Sequence, residues 1–271
     1  MIVRVLTLTG MLQLAACLGA QVVGVTETGA AKVTQTKATA NVAGKPQVVR
    51  EWQNAIQNVS KQEIEALHVT FSCTTEDGRV LSDDNGSVDR VLQNATNHSI
   101  PPGGSYQARV MEPGECTSRT DAVVYANDKA EGDADKIDLI FQRRSGAYKA
   151  LFEVIPLLDE IASGKSSVAE VIQILQDKIR AHSNNGALTS GLSSEELTGE
   201  SLVFGGTISL LQNHAWLQTP SDSTPNRQPR IQEVMKTNGL SLEQAHAFVT
   251  ANKYREWQSL LEDHTTPQGV N

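Results

Sequence analysis

Three cysteines, six histidines and a run of carboxylates are the residues of this 271-residue chain with chemistry to offer. Cys73 and Cys116 stand apart, without C-x-x-C spacing or clustered histidines, so they make poor zinc ligands. In an oxidising compartment an even pair reads as a disulfide, and closing a loop of this length is worth on the order of 4 kcal/mol in the chain-entropy treatment. Two unpaired buried thiols are the alternative. The histidines, His68, His98, His182, His214, His246 and His264, include no pair at i, i+4 on one helix and no H-E-x-x-H. All six are expected as surface polar residues, with His68 on the outward-facing set of its strand. The sequence has no G-x-S-x-G and no Gly-rich phosphate loop ending in Lys-Ser/Thr. Gly103-Gly104-Ser105 reads as a loop entering an edge strand rather than as a nucleophile turn.

Asp128, Glu131, Asp133 and Asp135 crowd one stretch between two expected strands. Such carboxylates could hold calcium through hard oxygen ligands, but the D-x-[DN]-x-[DN]-G spacing is missing, so a solvated loop is expected. Asp83-Asp84-Asn85-Gly86 reads as a hairpin turn. No catalytic residue, metal ligand or cofactor is therefore assigned.

These residues need elements to position them. From about residue 46 to 142 the pattern is that of strands. Leu67, Val69, Phe71 and Cys73 alternate with polar or small neighbours, which is a half-buried strand with its cysteine facing inward. Trp52, Asn54 and Ile56 mark an earlier strand ended by Asn58-Val59-Ser60. Glu76-Asp77-Gly78 and Asp84-Asn85-Gly86 are turn signals, and Ile100-Pro101-Pro102-Gly103-Gly104 breaks the chain before Ser105–Met111. Thr120–Ala126 and Lys136–Phe141 complete the set.

After residue 145 the period changes to helical. Leu151, Val154, Ile155, Leu158 and Ile161 form a stripe, with Ser145 as cap and with Pro156 expected to kink the helix or begin a new one. Ser167-Val168-Ala169-Glu170 and Ser241-Leu242-Glu243-Gln244 are capping boxes. The first helix they open is expected to stop at Asn184-Asn185-Gly186. Thr198–Leu217 is weaker, and Ile231–Thr237 with Ser241–Glu262 forms a hairpin across Asn238-Gly239.

The amino end carries an address. Met1 to Arg4 makes a short basic start, and Val5 to Leu14 is uncharged and too short to span a membrane. It ends in Leu14-Ala15-Ala16-Cys17, which resembles the lipobox of bacterial lipoproteins. That resemblance covers about 17 residues. It implies lipidation of Cys17 after removal of residues 1–16, with acyl chains holding the chain at a membrane surface. The alternative is an ordinary secretion signal cut after Ala20. Residues 17–45 hold no aromatic side chain and read as a flexible tether.

The expected organisation is a tether at 17–45, a β-sandwich at 46–145, a helical segment at 146–217, a linker at 218–229 and a helical hairpin at 230–264. The fold class is α+β, an antiparallel sandwich followed by helices. Its length and inter-strand cysteine pair resemble immunoglobulin-like or fibronectin-like sandwiches, in architecture only: Trp52 precedes Cys73, and Gly114 stands where a tyrosine would precede the second cysteine.

Charge and composition then narrow the partners. Residues 46–145 carry net −6 and residues 146–271 net −5, within −8 overall. Acidic folded parts with 4% aromatic residues exclude a general nucleic-acid binder. The expected role is an exported, non-catalytic binding or scaffolding module of the cell envelope, lipid-anchored at its periplasmic face or else secreted. It would meet a membrane through Cys17 and another envelope protein through a sandwich edge or the helical hairpin. A hydrolase using the 128–135 carboxylates, or a calcium-stabilised sandwich, are the alternatives.

Overall fold

A computed structural model describes residues 21–28, 30–41, 48–74, 77–93, 99–112, 115–212 and 227–267. Cys17 and the segment before it, His98, His214 and residues 218–226 of the expected 218–229 linker lie outside the described residues, and residues 227–229 of that linker are helical instead. Among the described residues the chain is mixed: eight strands in two antiparallel sheets come first and five helices follow. It divides into two compact units, with the boundary just after Ile137.

The first unit holds strands β1 (Gln21–Thr28), β2 (Ala31–Asn41), β3 (Val48–Asn58), β4 (Ile64–Thr74), β5 (Val80–Asp89), β6 (Ser105–Glu112), β7 (Glu115–Tyr125) and β8 (Ala130–Gly132). One sheet runs β1-β2-β3-β6 and the other β5-β4-β7-β8. Ala30, Ala31 and Ile56 from the first sheet share a core with Leu67, Val69, Phe71, Val88, Val123 and Tyr125 from the second. Leu67, Val69 and Phe71 of the alternation in β4 thus face this core, and Cys73 packs with Cys116 apart from it. The crossover from β3 to β4 is held by Asn58, 1% exposed. Its Nδ2 donates to the carbonyls of Gln62 (2.7 Å) and Ile100 (2.8 Å), and its Oδ1 accepts from the Ser60 N–H (2.9 Å) and hydroxyl (2.7 Å). A buried amide satisfied on every side fixes the turn at little cost.

Three sequence expectations are corrected in this unit. Strands β1 and β2 occupy most of the segment expected as a tether. Its valines and threonines are strong strand formers, and pairing of β2 with β3 along eleven positions supplies the hydrogen bonds a tether would give to water. Asp84-Asn85-Gly86 is no turn: it lies within β5, opposite Phe71, Thr70 and Val69 of β4. Pairing along a whole strand overrides a local turn preference. Lys136–Phe141 is helix rather than strand. Its short apolar run fits either period, and Asp133 decides by capping, its Oδ1 accepting from the N–H groups of Asp135 (2.9 Å) and Lys136 (3.3 Å).

The helices are α1 (Ala134–Ala162), α2 (Val168–Ser190), α3 (Ser194–Gln212), α4 (Arg227–Asn238) and α5 (Leu242–Asp263). Pro156 sits inside α1 without ending it. α2 runs through Asn184-Asn185-Gly186 and stops at Gly191, which takes the left-handed C-cap conformation. Both capping boxes form, at Ser167 with Glu170 and at Ser241 with Gln244. The Glu170 carboxyl is held below its ordinary value by the Ser167 N–H and hydroxyl. Ser145 is not a cap but lies within α1, its hydroxyl on Glu196 (3.3 Å).

α1 and α3 touch backbone to backbone. A Cβ on Gly146 would overlap the Glu196 carbonyl, and one on Gly199 would overlap the Arg143 carbonyl. Glycine at both positions lets the helices approach this closely, and Arg143–Glu195 and Lys149–Glu196 ion pairs flank the contact.

Candidate functional site

Cys73 and Cys116 are joined as a disulfide, with Cα atoms 4.1 Å apart. They face each other directly across β4 and β7, and both are buried. The bond therefore ties neighbouring strands of one sheet rather than one sheet to the other.

On the opposite face of β4 lies a polar network that sequence reading missed. His68 is fully buried and its Nδ1 lies 3.1 Å from Asp121 Oδ2 on β7. The Thr70 hydroxyl donates to the same oxygen (2.5 Å), and Arg119 Nε donates to Oδ1 (2.7 Å). Burial pushes the Asp121 carboxyl up, but Thr70, His68 and Arg119 together hold it below its ordinary value. Asp121 and Glu131 also line a shallow groove of about 210 Å³ with Ala30, Thr120, Ala122, Val123 and Gly132.

The acidic stretch is dispersed into separate structural places. Asp128 is a buried turn residue with φ 57°, its N–H donating to the Tyr125 carbonyl (2.9 Å), and Asp133 caps α1. Burial, with the Glu131 carboxylate beside it, pushes the Tyr125 hydroxyl up to about 12. Gly103, at φ 77°, turns the chain into edge strand β6.

The helical unit carries a second histidine–carboxylate pair. His182 of α2 places Nε2 3.1 Å from Glu200 Oε2 of α3, with side chains 17% and 7% exposed. Its Nδ1 lies 3.4 Å from the Ser201 hydroxyl, and its ring lies 5.8 Å from that of buried Phe204. Burial pushes Glu200 up to about 6, and the Glu153 charge adds to this. Burial also pushes His182 down. The connectivity Ser–His–Glu is that of a nucleophile, base and orienting carboxylate. However, Ser201 lies well inside α3, where backbone N–H groups are committed to carbonyls four residues back. The main chain around it offers no donors for an oxyanion.

The surface expectation for the histidines is thus corrected: His68 and His246 are buried and His182 nearly so. Each desolvated ring of the two pairs gains its partner from another element, which no local pattern reveals. Another buried charge, fully enclosed Arg144, donates to the His264 carbonyl (3.4 Å) and lies over the Phe141 ring at 5.5 Å.

The C-terminal hairpin has its own small core of Ile231, Ala245 and Val249. Beside it opens a groove of about 160 Å³ lined by Val234, Phe248, Val249, Asn252, Lys253 and Glu256, with Phe248 38% exposed. No described helix is long and apolar enough to cross a membrane. No family model, curated protein or solved structure matches the chain.

Proposed function

We propose that this is an exported, non-catalytic binding module of the cell envelope that grips a partner protein through its C-terminal helical hairpin. The observation that carries the reading is the groove beside Phe248. Its 160 Å³ is close to the ~150 Å³ of a cavity that accepts a benzene ring, so it suits one leucine or phenylalanine side chain of a partner. Lys253 and Glu256 at its margin supply polar contacts of both signs.

Export, with Cys17 lipidated or the chain cut after Ala20, is supported by the Cys73–Cys116 disulfide, since such bonds persist in oxidising compartments. The β unit is read as an immunoglobulin-like or fibronectin-like sandwich carrying an extra first strand. If β2 to β8 are lettered A, B, C, C′, E, F and G, the neighbours become A-B-E and C′-C-F-G, the relations of that architecture. The disulfide departs from the immunoglobulin pattern by joining strands within one sheet.

Intact mass of the native protein tests the address: diacylated Cys17 or a start at Gln21 supports export, and a retained Met1 overturns it. A photo-crosslinking residue at position 256 tests the grip in the native envelope. A single captured neighbour, lost on Phe248→Asp, is expected. Capture indifferent to Phe248→Asp would mean the groove is not the contact.

A further inference from the structure

We propose that Ser201, His182 and Glu200 form a reversible hydrogen-bond chain that fastens α2 to α3 and stays bonded when it takes up one proton. All three groups lie in contact, at 3.4 Å between Ser201 Oγ and His182 Nδ1 and 3.1 Å between His182 Nε2 and Glu200 Oε2. Each of the three can act as donor or acceptor, a property few side chains share.

With Glu200 ionised, the Ser201 hydroxyl donates to Nδ1, and the Nε2–H of a neutral imidazole donates to the carboxylate. When a proton arrives on the carboxyl, the direction of every bond reverses. Glu200 O–H donates to Nε2, the imidazole carries its hydrogen on Nδ1, and Nδ1–H donates to the Ser201 oxygen. One proton is gained, no heavy atom moves, and no buried group is left unbonded. A fixed-role pair such as arginine with glutamate lacks this freedom, because arginine has no acceptor.

The surroundings favour such sharing. Phe204 covers the ring and Glu200 is 6% exposed, so a second, unshared charge is costly there. Charged groups on each neighbouring helix take part: Glu153 and Lys149 from α1, Lys178 from α2 and Glu196 from α3. Glu153 is paired with Lys178, and Lys149 with Glu196 (2.6 Å), so their fields at Glu200 partly cancel. The shifts of the two partners oppose each other. Glu200, raised to about 6, binds its proton earlier in the folded chain than in the unfolded one, which favours folding as pH falls. His182, lowered, resists protonation in the folded chain, which disfavours folding as pH falls. Together they flatten the dependence, a useful property where the compartment follows an outside medium.

Nitrogen-15 NMR of the His182 ring in the full-length wild-type protein tests the chain without a substitution. The hydrogen is expected to pass from Nε2 to Nδ1 as the Glu200 carboxyl takes up its proton near pH 6, with the ring neutral on both sides of that step. A ring that keeps one tautomer through that step, or becomes imidazolium in it, overturns the proposal. Two variants read the same device by stability. Glu200→Gln leaves a lone buried imidazole, so stability falls as pH drops below the ordinary histidine value of 6.5. His182→Gln leaves a lone buried carboxyl, so stability falls as pH rises through about 6. Slopes of opposite sign on either side of a flatter wild type are expected. Slopes of the same sign would exclude a shared proton.

Discussion

Among the described residues, each unit sets a histidine against a carboxylate, His68 against Asp121 and His182 against Glu200, and the two carboxyls are shifted in opposite directions. In the sheets, Asp121 accepts from Thr70 and Arg119 and faces His68, and these partners overcome its burial and hold it ionised. In the helices, Glu200 has His182 as its close partner and the Glu153 charge nearby, so burial prevails and its carboxyl rises to about 6. The side-chain exposures are nearly equal, 6% for Asp121 and 7% for Glu200. The number of donors and the sign of the neighbouring charge therefore decide the direction of each shift, not depth alone. The same contrast runs through each unit: the sheets are fastened by fixed bonds, and the helices by close packing, caps and an adaptable proton.

The contrast can be broken most forcefully at the disulfide. Cys73→Ala with Cys116→Ala should cost on the order of 4 kcal/mol, read as lost hydrogen-exchange protection in β4 and β7. A loss below about 1 kcal/mol would show that the bond is not what fastens these strands. Next comes Gly199→Ala, which pushes a methyl group into the Arg143 carbonyl. Overpacking of this kind should destabilise by about 3 kcal/mol in helical circular dichroism against denaturant, and an unchanged midpoint would mean that α1 and α3 separate freely.

Asp121→Asn sharpens the electrostatic half of the comparison. Removing a charge that serves several hydrogen bonds should cost about 2 kcal/mol near neutral pH. Because the Asp121 carboxyl lies below its ordinary 3.8, its contribution is full above that value and is lost as pH falls through the lowered one. The gap between wild type and variant should therefore close below pH 3.8, and a gap that persists in acid would assign the loss to packing instead. The smallest effect is expected at Ser241→Ala, about 1 kcal/mol from the start of α5, measurable by chemical denaturation. If it matched the effect at Asp121, caps would rank with networks and the contrast would fail.

Legibility followed the range of the interaction. The box at Ser167 spans three residues and was readable directly, as was the inward face of β4 with Cys73 on it. The buried place of His68 is not legible locally, because its partner lies 53 residues away and both faces of its strand are covered. A polar residue on the outward set of a strand reads as solvated unless something packs on that face. The same holds for His182, since Glu200 becomes its neighbour only once α2 and α3 pair.

The sequence by itself determined that helices begin at the capping boxes of Ser167 and Ser241, that β4 carries Cys73 inward, and that the folded parts are acidic. These properties depend on residue type and short spacing. Tertiary structure alone decided that valine- and threonine-rich residues 21–41 pair as strands, that Asp84-Asn85-Gly86 stays extended beside β4, and that Asp121 and Glu200 part in their proton affinity. Each of these is set by groups brought together from distant parts of the chain, where a neighbouring strand or charge outweighs local preference by more than that preference is worth.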